Sequence, residues 1–249
     1  MPENAAYLRI VAELRDQIRA GDLAPGDKLP TEAQLRQRYG VSTTVVKWAL
    51  SILKGEGLVE GRRGSGNYVR QSRRITRNAL GRDRRSDTRS TSPFARDALS
   101  DGQRPTWEHD SRHDAADERI AARLEIEPGA AVMRTDYRYL ADDSPVQLAT
   151  SWEPLSLTSG SPVEWPEDGA AVGVVARFDA IGIRIDEFAE RVSARAADTR
   201  EIEHLVLPSR GSYVLVVERT YYAAGQPVET ADIVFPGDRY ELVYRVPID

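Results

Sequence analysis

The sequence predicts an α+β protein built from two domains. Three observations carry this. Apolar residues recur at helical spacing up to about residue 55 and alternate at strand spacing beyond residue 130. The net charge of −5 is unevenly divided: +3 over residues 1–70, +6 over 71–96 and −14 over 97–249. Residues 71–91 are rich in Arg, Ser and Thr and poor in large apolar groups, as a linker is. The predicted division is therefore 1–70, a basic linker at 71–91, and 92–249.

From Tyr7, the residues Leu8, Val11, Leu14 and Ile18 give a helix that Gly21 closes. "LAPGDKLP" (23–30) reads as a turn-rich connector. Thr31 with Gln34 forms a capping-box pattern, so a second short helix starts there, buries Leu35 and stops at Gly40. Ser42 caps a third helix that buries Val46, Ala49, Leu50 and Leu53. "LVEGRRGSGNYV" then reads as two short strands around a glycine-rich turn. Three helices and a hairpin in this order make a winged helix-turn-helix. In the second domain a short helix is expected within 114–129, and strands at 131–140, 146–152, 183–196, 212–223, 228–235 and 241–246. Helical stretches are expected at 169–180 and 198–205, against a mostly antiparallel sheet. "YLADDSPVQLA" (139–149) and "YYAAGQPVETA" (221–231) share a faint repeat, two similar hairpins that could flank one cavity.

Composition narrows the chemistry. With no Cys in the chain, disulfides, thiolate zinc sites and Fe–S clusters are excluded. No apolar run approaches a bilayer span and no signal peptide is read, so a cytoplasmic protein without a membrane partner is expected. The loop "GRRGSGNYVR" (61–70) raises two possibilities, a nucleotide-phosphate cradle and a hairpin touching nucleic-acid phosphates. It lacks the third Gly of a dinucleotide fingerprint and no long helix follows it. No nucleophile-elbow, zincin or P-loop motif occurs, so no catalytic residue and no cofactor is expected. His109 and His113 lie four apart among aspartates, but the stretch reads as solvated linker, with no metal expected.

The motifs "LAPGDKLPTEAQL", "YGVSTTVVKWAL" and "EGLVEGRRGSGNYV" resemble the GntR family of bacterial transcription regulators over residues 7–70. "VMRTDYRYLADDSPVQLATSWEP", "FAERVSARAA" and "VERTYYAAGQPVETADIVFPGDRYELVY" resemble the UTRA sensor domain of its HutC branch over roughly 92–246. The sensor fold in turn resembles that of chorismate lyase. The resemblance implies a homodimeric repressor that binds double-stranded operator DNA, near-palindromic in sequence, and leaves it when a small-molecule effector binds. The competing readings are a lyase-like enzyme and a ligand-independent DNA-coating protein. No evident acid–base pair supports the first, and a whole acidic sheet domain over 92–249 exceeds what the second needs.

The expected DNA contacts are Thr31, Ser42, Thr43, Thr44 and Lys47 on the helix-turn-helix, and Arg62, Arg63, Gly64 and Ser65 in the hairpin turn. Thr43 and Lys47 are four apart and share one helix face. Many family members carry Arg where this chain has Ala33 and Thr43, and Arg where it has Lys47, so its operator preference should differ. Trp48 is expected to pack under the wing or an adjoining helix.

For the effector, strand alternation and the resemblance select Tyr137, Tyr139, Gln147, Ser151, Trp152, Glu190, Glu229 and Phe235. Relatives that sense sugar phosphates look to have two Arg at the places of Tyr137 and Tyr139, a Ser near Val172 and a carboxylate near Ala149. Without them an anionic phosphate loses its charge-assisted donors. A more apolar or aromatic effector is expected, with Glu229 free to accept a bond from an amine or hydroxyl.

Overall fold

The computed structural model describes residues 3–62, 64–70, 74–79, 92–168, 173–208 and 211–246. Most of the expected linker, residues 80–91, and the expected helix start at 169–172 lie outside them. The chain divides into two compact units, Met1–Arg73 with Leu207–Ser212, and Arg74–Val206 with Tyr213–Asp249.

The first unit holds α1 (Glu3–Ala20), α2 (Glu32–Tyr39), α3 (Thr43–Gly55) and the strands β1 (Val59–Arg62) and β2 (Gly66–Val69). The expected apolar stripe forms the core in part: Val11 and Leu14 of α1, joined by Ile10, meet Leu35 of α2 and Val46, Ala49, Leu50 and Leu53 of α3. Ile18 is partly buried against them, and Leu8, expected inside, is 54% exposed. The capping box is present. The Gln34 amide donates to Thr31 Oγ1 at 3.3 Å and the Thr31 amide to Gln34 Oε1 at 2.8 Å. Gly40 ends α2 at φ 64°, a left-handed conformation that glycine adopts without a Cβ penalty. β1 and β2 pair antiparallel from Val59↔Val69 to Arg62↔Gly66. The stretch read as a connector does more than turn. Leu29 donates to the Asn67 carbonyl and Val69 to that of Asp27, both at 2.8 Å, so residues 27–29 run along β2 as a third row of the wing.

The second unit contains β3 (Ile75–Asn78), α4 (Pro93–Ser100), β4 (Pro105–Ala115), α5 (Glu118–Leu124), β5 (Ala131–Ala141), β6 (Ser144–Pro154), α6 (Leu155–Thr158), α7 (Val174–Ala180), β7 (Glu187–Ala196), α8 (Thr199–His204), β8 (Tyr213–Ala223), β9 (Gln226–Pro236) and β10 (Tyr240–Val243). Six strands form one antiparallel sheet in the order β4-β5-β6-β9-β8-β7. β3 and β10 form a separate parallel pair.

Three expectations are corrected. Part of the expected linker is the strand β3, which Arg and Asn residues disguise; Ile75 and Arg77 are nonetheless buried. The His109–His113 stretch belongs to an edge strand, β4, whose nearly uniform exposure left no alternation to read. The last strand stops at Val243, short of residue 246, and β7 starts at Glu187 rather than 183.

The faint hairpin repeat extends across the whole sheet. The offset of 82 that takes Tyr139 to Tyr221 carries β5 onto β8 and β6 onto β9 end to end, and the start of β4 onto that of β7. Starts of α4 and α7, and of α5 and α8, coincide within one residue on the same offset. Both hairpins shift register at the same place, after Tyr139 and after Tyr221. Both turn through two left-handed residues, Asp142 and Asp143 in one, Ala224 and Gly225 in the other. That geometry matches the twist of the strands. β6 and β9 meet around the pair Thr150↔Asp232, which the offset exchanges, so the halves are related by an approximate twofold axis through the sheet centre.

One sheet face carries α5, whose Ile120, Ala121 and Leu124 pack on Val132 and Trp152. On the other face Phe94 and Ala98 of α4 pack with Ile233 and Phe235, and Val175 and Phe178 of α7 pack with Tyr221 and Val228. Between these two clusters the sheet presents small side chains, Ala149, Ser151 and Ala231, and a cavity opens above them.

Candidate DNA-reading surface and ligand cavity

In the first unit, α3 turns an apolar side inward and leaves Thr44 and Lys47 exposed and Thr43 half-buried. Ser42 Oγ is committed to its own helix, accepting from the Val45 amide at 3.4 Å, and the Thr31 hydroxyl is committed to Gln34. Both residues sit at helix starts, where free backbone N–H groups face outward and suit an anion. Trp48 does not pack under the wing: it is 58% exposed and meets Tyr7 of α1 edge-on, with ring centroids 5.8 Å apart.

The wing tip is organised around Tyr68. The Arg62 guanidinium lies 4.3 Å from its ring centroid and the Lys28 ammonium 5.8 Å from it, a cation–π arrangement on both counts. Ser65 Oγ and the Tyr68 hydroxyl are 2.6 Å apart, and that bond, with the two cations beside it, holds the phenol below its usual range. Arg62 also bonds Glu60 at 2.9 Å, an exposed pair that phosphate can displace at small cost. Gly64 (φ 72°) makes the turn, and a Cβ on Gly66 would stand 3.1 Å from Lys28 Cε. Arg63 lies outside the described residues, as does Val172 of the second unit.

The cavity of the second unit measures about 120 Å³, room for a compact molecule. Of the predicted effector residues, Tyr137, Tyr139, Gln147, Ser151, Glu229 and Phe235 line it. Trp152 does not: alternation turns it to the opposite face, against α5. Glu190 is not in the lining either, but its carboxylate bonds both Nη atoms of Arg77, which is.

Sequence reasoning missed several lining groups, among them Arg77, Glu153, Glu167, Arg177, Arg219 and Tyr221. Glu153 continues the alternation of Gln147, Ala149 and Ser151 by one step and could have been read. Arg219 and Tyr221 are the repeat partners of Tyr137 and Tyr139, so the repeat would have found them. Arg177 sits on a short helix and gave no such signal. Arginines do therefore reach the cavity, from β3, α7 and β8 rather than from β5. Two of them are held by glutamates. Arg177 donates to both oxygens of Glu153 at 2.6 and 3.0 Å, and Arg77 is held bidentately by Glu190. The third, Arg219, lies over the Tyr221 ring, 4.4 Å from its centroid. Burial opposes the Arg177 charge, but the Glu153 carboxylate outweighs it and keeps the guanidinium protonated.

The remaining acids differ sharply. Glu167 accepts from the Tyr137 hydroxyl at 3.0 Å and from Trp107 Nε1 at 3.1 Å. Glu229 is 1% exposed, and neither carboxylate oxygen has a hydrogen-bond partner among the described residues. Burial pushes its pKa up to about 7, helped by Glu153 and opposed by Arg219, Arg123 and Arg177. Its repeat partner Gln147 is satisfied, accepting from the Tyr240 hydroxyl at 3.2 Å. Among the described residues no cluster of His and carboxylates could hold a metal, and no helix is long and apolar enough to cross a membrane.

Known proteins agree with this architecture. Residues 6–69 match the family described as bacterial regulatory proteins, gntR family, and residues 100–241 match the UTRA domain. The HTH-type transcriptional repressor NagR of Bacillus subtilis strain 168 is 29% identical over 240 residues, 96% of this chain and 93% of that protein. A crystal structure described as a GntR-family transcriptional regulator is 42% identical, with a TM-score of 0.66 and 98% of both chains covered. The structure of PhnF from Mycobacterium smegmatis is 22% identical over 96% of this chain and 99% of that one, with a TM-score of 0.60, and supports the fold. The winged helix, the duplicated sheet and these matches agree: the chain belongs to the GntR family of bacterial regulators, carries a UTRA domain, and is a DNA-binding transcriptional regulator rather than an enzyme.

Proposed function

We propose that the chain is a cytoplasmic repressor that binds a near-palindromic operator as a homodimer and releases it when a small molecule fills the cavity of the second unit. The observation that carries this reading is a cavity lined from both halves of the sheet and containing a buried carboxylate with no hydrogen-bond partner among the described residues. Such a group is costly to keep unless something else bonds it. The relative NagR, named a repressor, matches along nearly the whole chain, which supports the same direction of control.

In this reading α3 enters the major groove, with Thr43, Thr44 and Lys47 at base edges, Thr31 and Ser42 near phosphates, and Arg62, Arg63, Gly64 and Ser65 of the wing on the backbone or minor groove. The effector meets Tyr137, Tyr139, Gln147, Ser151, Glu229 and Phe235. It is not a sugar phosphate in this reading, because two of the three cavity guanidiniums, Arg77 and Arg177, are each already held at two points by a glutamate. Selection of bound duplexes from a random pool tests the DNA half; failure to enrich any motif contradicts it. Thermal shift tests the effector half; clear stabilisation by micromolar glucosamine 6-phosphate contradicts it.

A further inference from the structure

Glu153 and Glu229 follow one another across the sheet, one step beyond the last β6–β9 pair, Trp152↔Thr230. Two carboxylates face one region, and the Arg177 fork is used on one of them. Glu153 takes both of its donors, and Glu229 takes none. The twofold partner Gln147 shows that the fold accommodates a neutral amide in this place and satisfies it. Nothing in the packing of the sheet therefore requires a charge at Glu229. Across the floor of Ala149, Ser151 and Ala231 stand Tyr137 and Tyr139, stacked with centroids 5.5 Å apart, flanked by Phe94. The charged groups at the cavity, with Glu190 counted beside its Arg77, are three guanidiniums and four carboxylates. With Glu229 ionised, the balance is one negative charge in excess.

We infer that Glu229 is the recognition group for the protonated amine of a compact aromatic effector, an inference that rests on the cavity being the effector site. The ammonium takes the place that Arg177 takes on Glu153, and the aryl group lies on the tyrosine pair. An anionic ligand finds two of the guanidiniums occupied and an excess of carboxylates. The groups facing Glu229 are Arg219 and Tyr221 from β8, Arg177 from α7 and Glu153 from β6, and Arg123 of α5 acts on it from the other face of the sheet. Since Glu229 titrates near 7, amine binding is strongest above that pH.

The test is calorimetry on the full-length protein between pH 5.5 and 8 with three probes of one shape: phenethylamine, 2-phenylethanol and 3-phenylpropionate. The inference expects the amine to bind at least tenfold tighter than the alcohol at pH 8, with the acid weakest. That preference falls by up to tenfold per pH unit below about 7 and disappears in Glu229→Gln. Equal or tighter binding of the alcohol or acid, no binding of the amine, or an intact preference in Glu229→Gln overturns it. The amine-to-alcohol ratio in the unmodified protein stands as a test even if the variant folds poorly. If the amine binds with this signature yet leaves the affinity for a selected operator fragment unchanged, the ligand class holds and the effector reading fails.

Discussion

Gln147 and Glu229 occupy the same place in the two halves of one sheet; Gln147 has a hydrogen-bond partner, and Glu229 has none among the described residues. The two similar halves of the sheet thus present one settled and one unsettled position around a single cavity. A buried carboxylate in that state costs stability, which makes its effect measurable.

The cost has a definite pH dependence. Glu229 titrates near 4.5 when exposed and near 7 in the fold. Between these values the folded state keeps a proton that the unfolded state has lost, so stability falls as pH rises through the window and the loss is complete above about 7. At about 1.4 kcal/mol per pH unit the loss is on the order of 3 kcal/mol. Glu229→Gln should therefore melt higher than the unmodified protein at pH 8, with the gap closing at pH 4.5. Parallel pH profiles for the two proteins would remove Glu229 as the cause.

The Glu153–Arg177 pair should behave in the opposite way. Both side chains are nearly sealed from solvent, at 2% and 4% exposure. Arg177→Met leaves Glu153 buried and uncompensated, at an expected cost of about 3–5 kcal/mol. Replacing both, as Glu153→Leu with Arg177→Met, should cost less than the sum of the single changes. Additive losses in urea unfolding would mean that the two do not act as a pair.

The repeat explains what the sequence could and could not reveal. The elements of the first unit were legible because a capping box, an N-cap, glycine stops and an apolar stripe coincide there, while Leu8, Trp48 and the pairing of residues 27–29 with β2 were not. The sheet strands were legible where one face is buried, as on β5 and β6. β4 was not, since an edge strand exposed on both faces shows no period. β3 was hidden because Arg77 is buried through an ion pair with Glu190, 113 positions away, and a composition-based reading counts it as linker. Alternation placed the cavity residues of β5, β6 and β9, such as Tyr137, Gln147 and Glu229, and the same alternation, applied strictly, would have excluded Trp152. Partners across distant elements, such as Arg177 for Glu153, have no local signature.

The wing should contribute affinity without sequence preference. Replacing Arg62 and Arg63 by Ala is expected to weaken binding to all duplexes similarly and to flatten the salt dependence, by about 0.9 in slope for each phosphate no longer neutralised. Mobility-shift titrations at several salt concentrations read both effects. An unchanged slope would reduce the wing to a shape element.

Lys47 should do the converse. It lies on the exposed side of α3 and is proposed to read a base. Lys47→Ala should therefore relax preference at one operator position, at about 1–3 kcal/mol for the favoured base. Repeating the duplex selection with the variant shows whether a single position loses its information content. Uniform weakening across positions would make Lys47 a phosphate contact.

The most direct test of the whole account is reciprocity between the two sites. Linkage requires that a ligand which weakens operator binding be weakened by the operator in the same proportion, commonly about 5–150-fold. Operator affinity is measured with and without saturating phenethylamine, and phenethylamine affinity with and without saturating operator, at one salt concentration. The account predicts two equal factors greater than one, both reduced to one in Glu229→Gln. An operator affinity that is the same with and without bound ligand would contradict it.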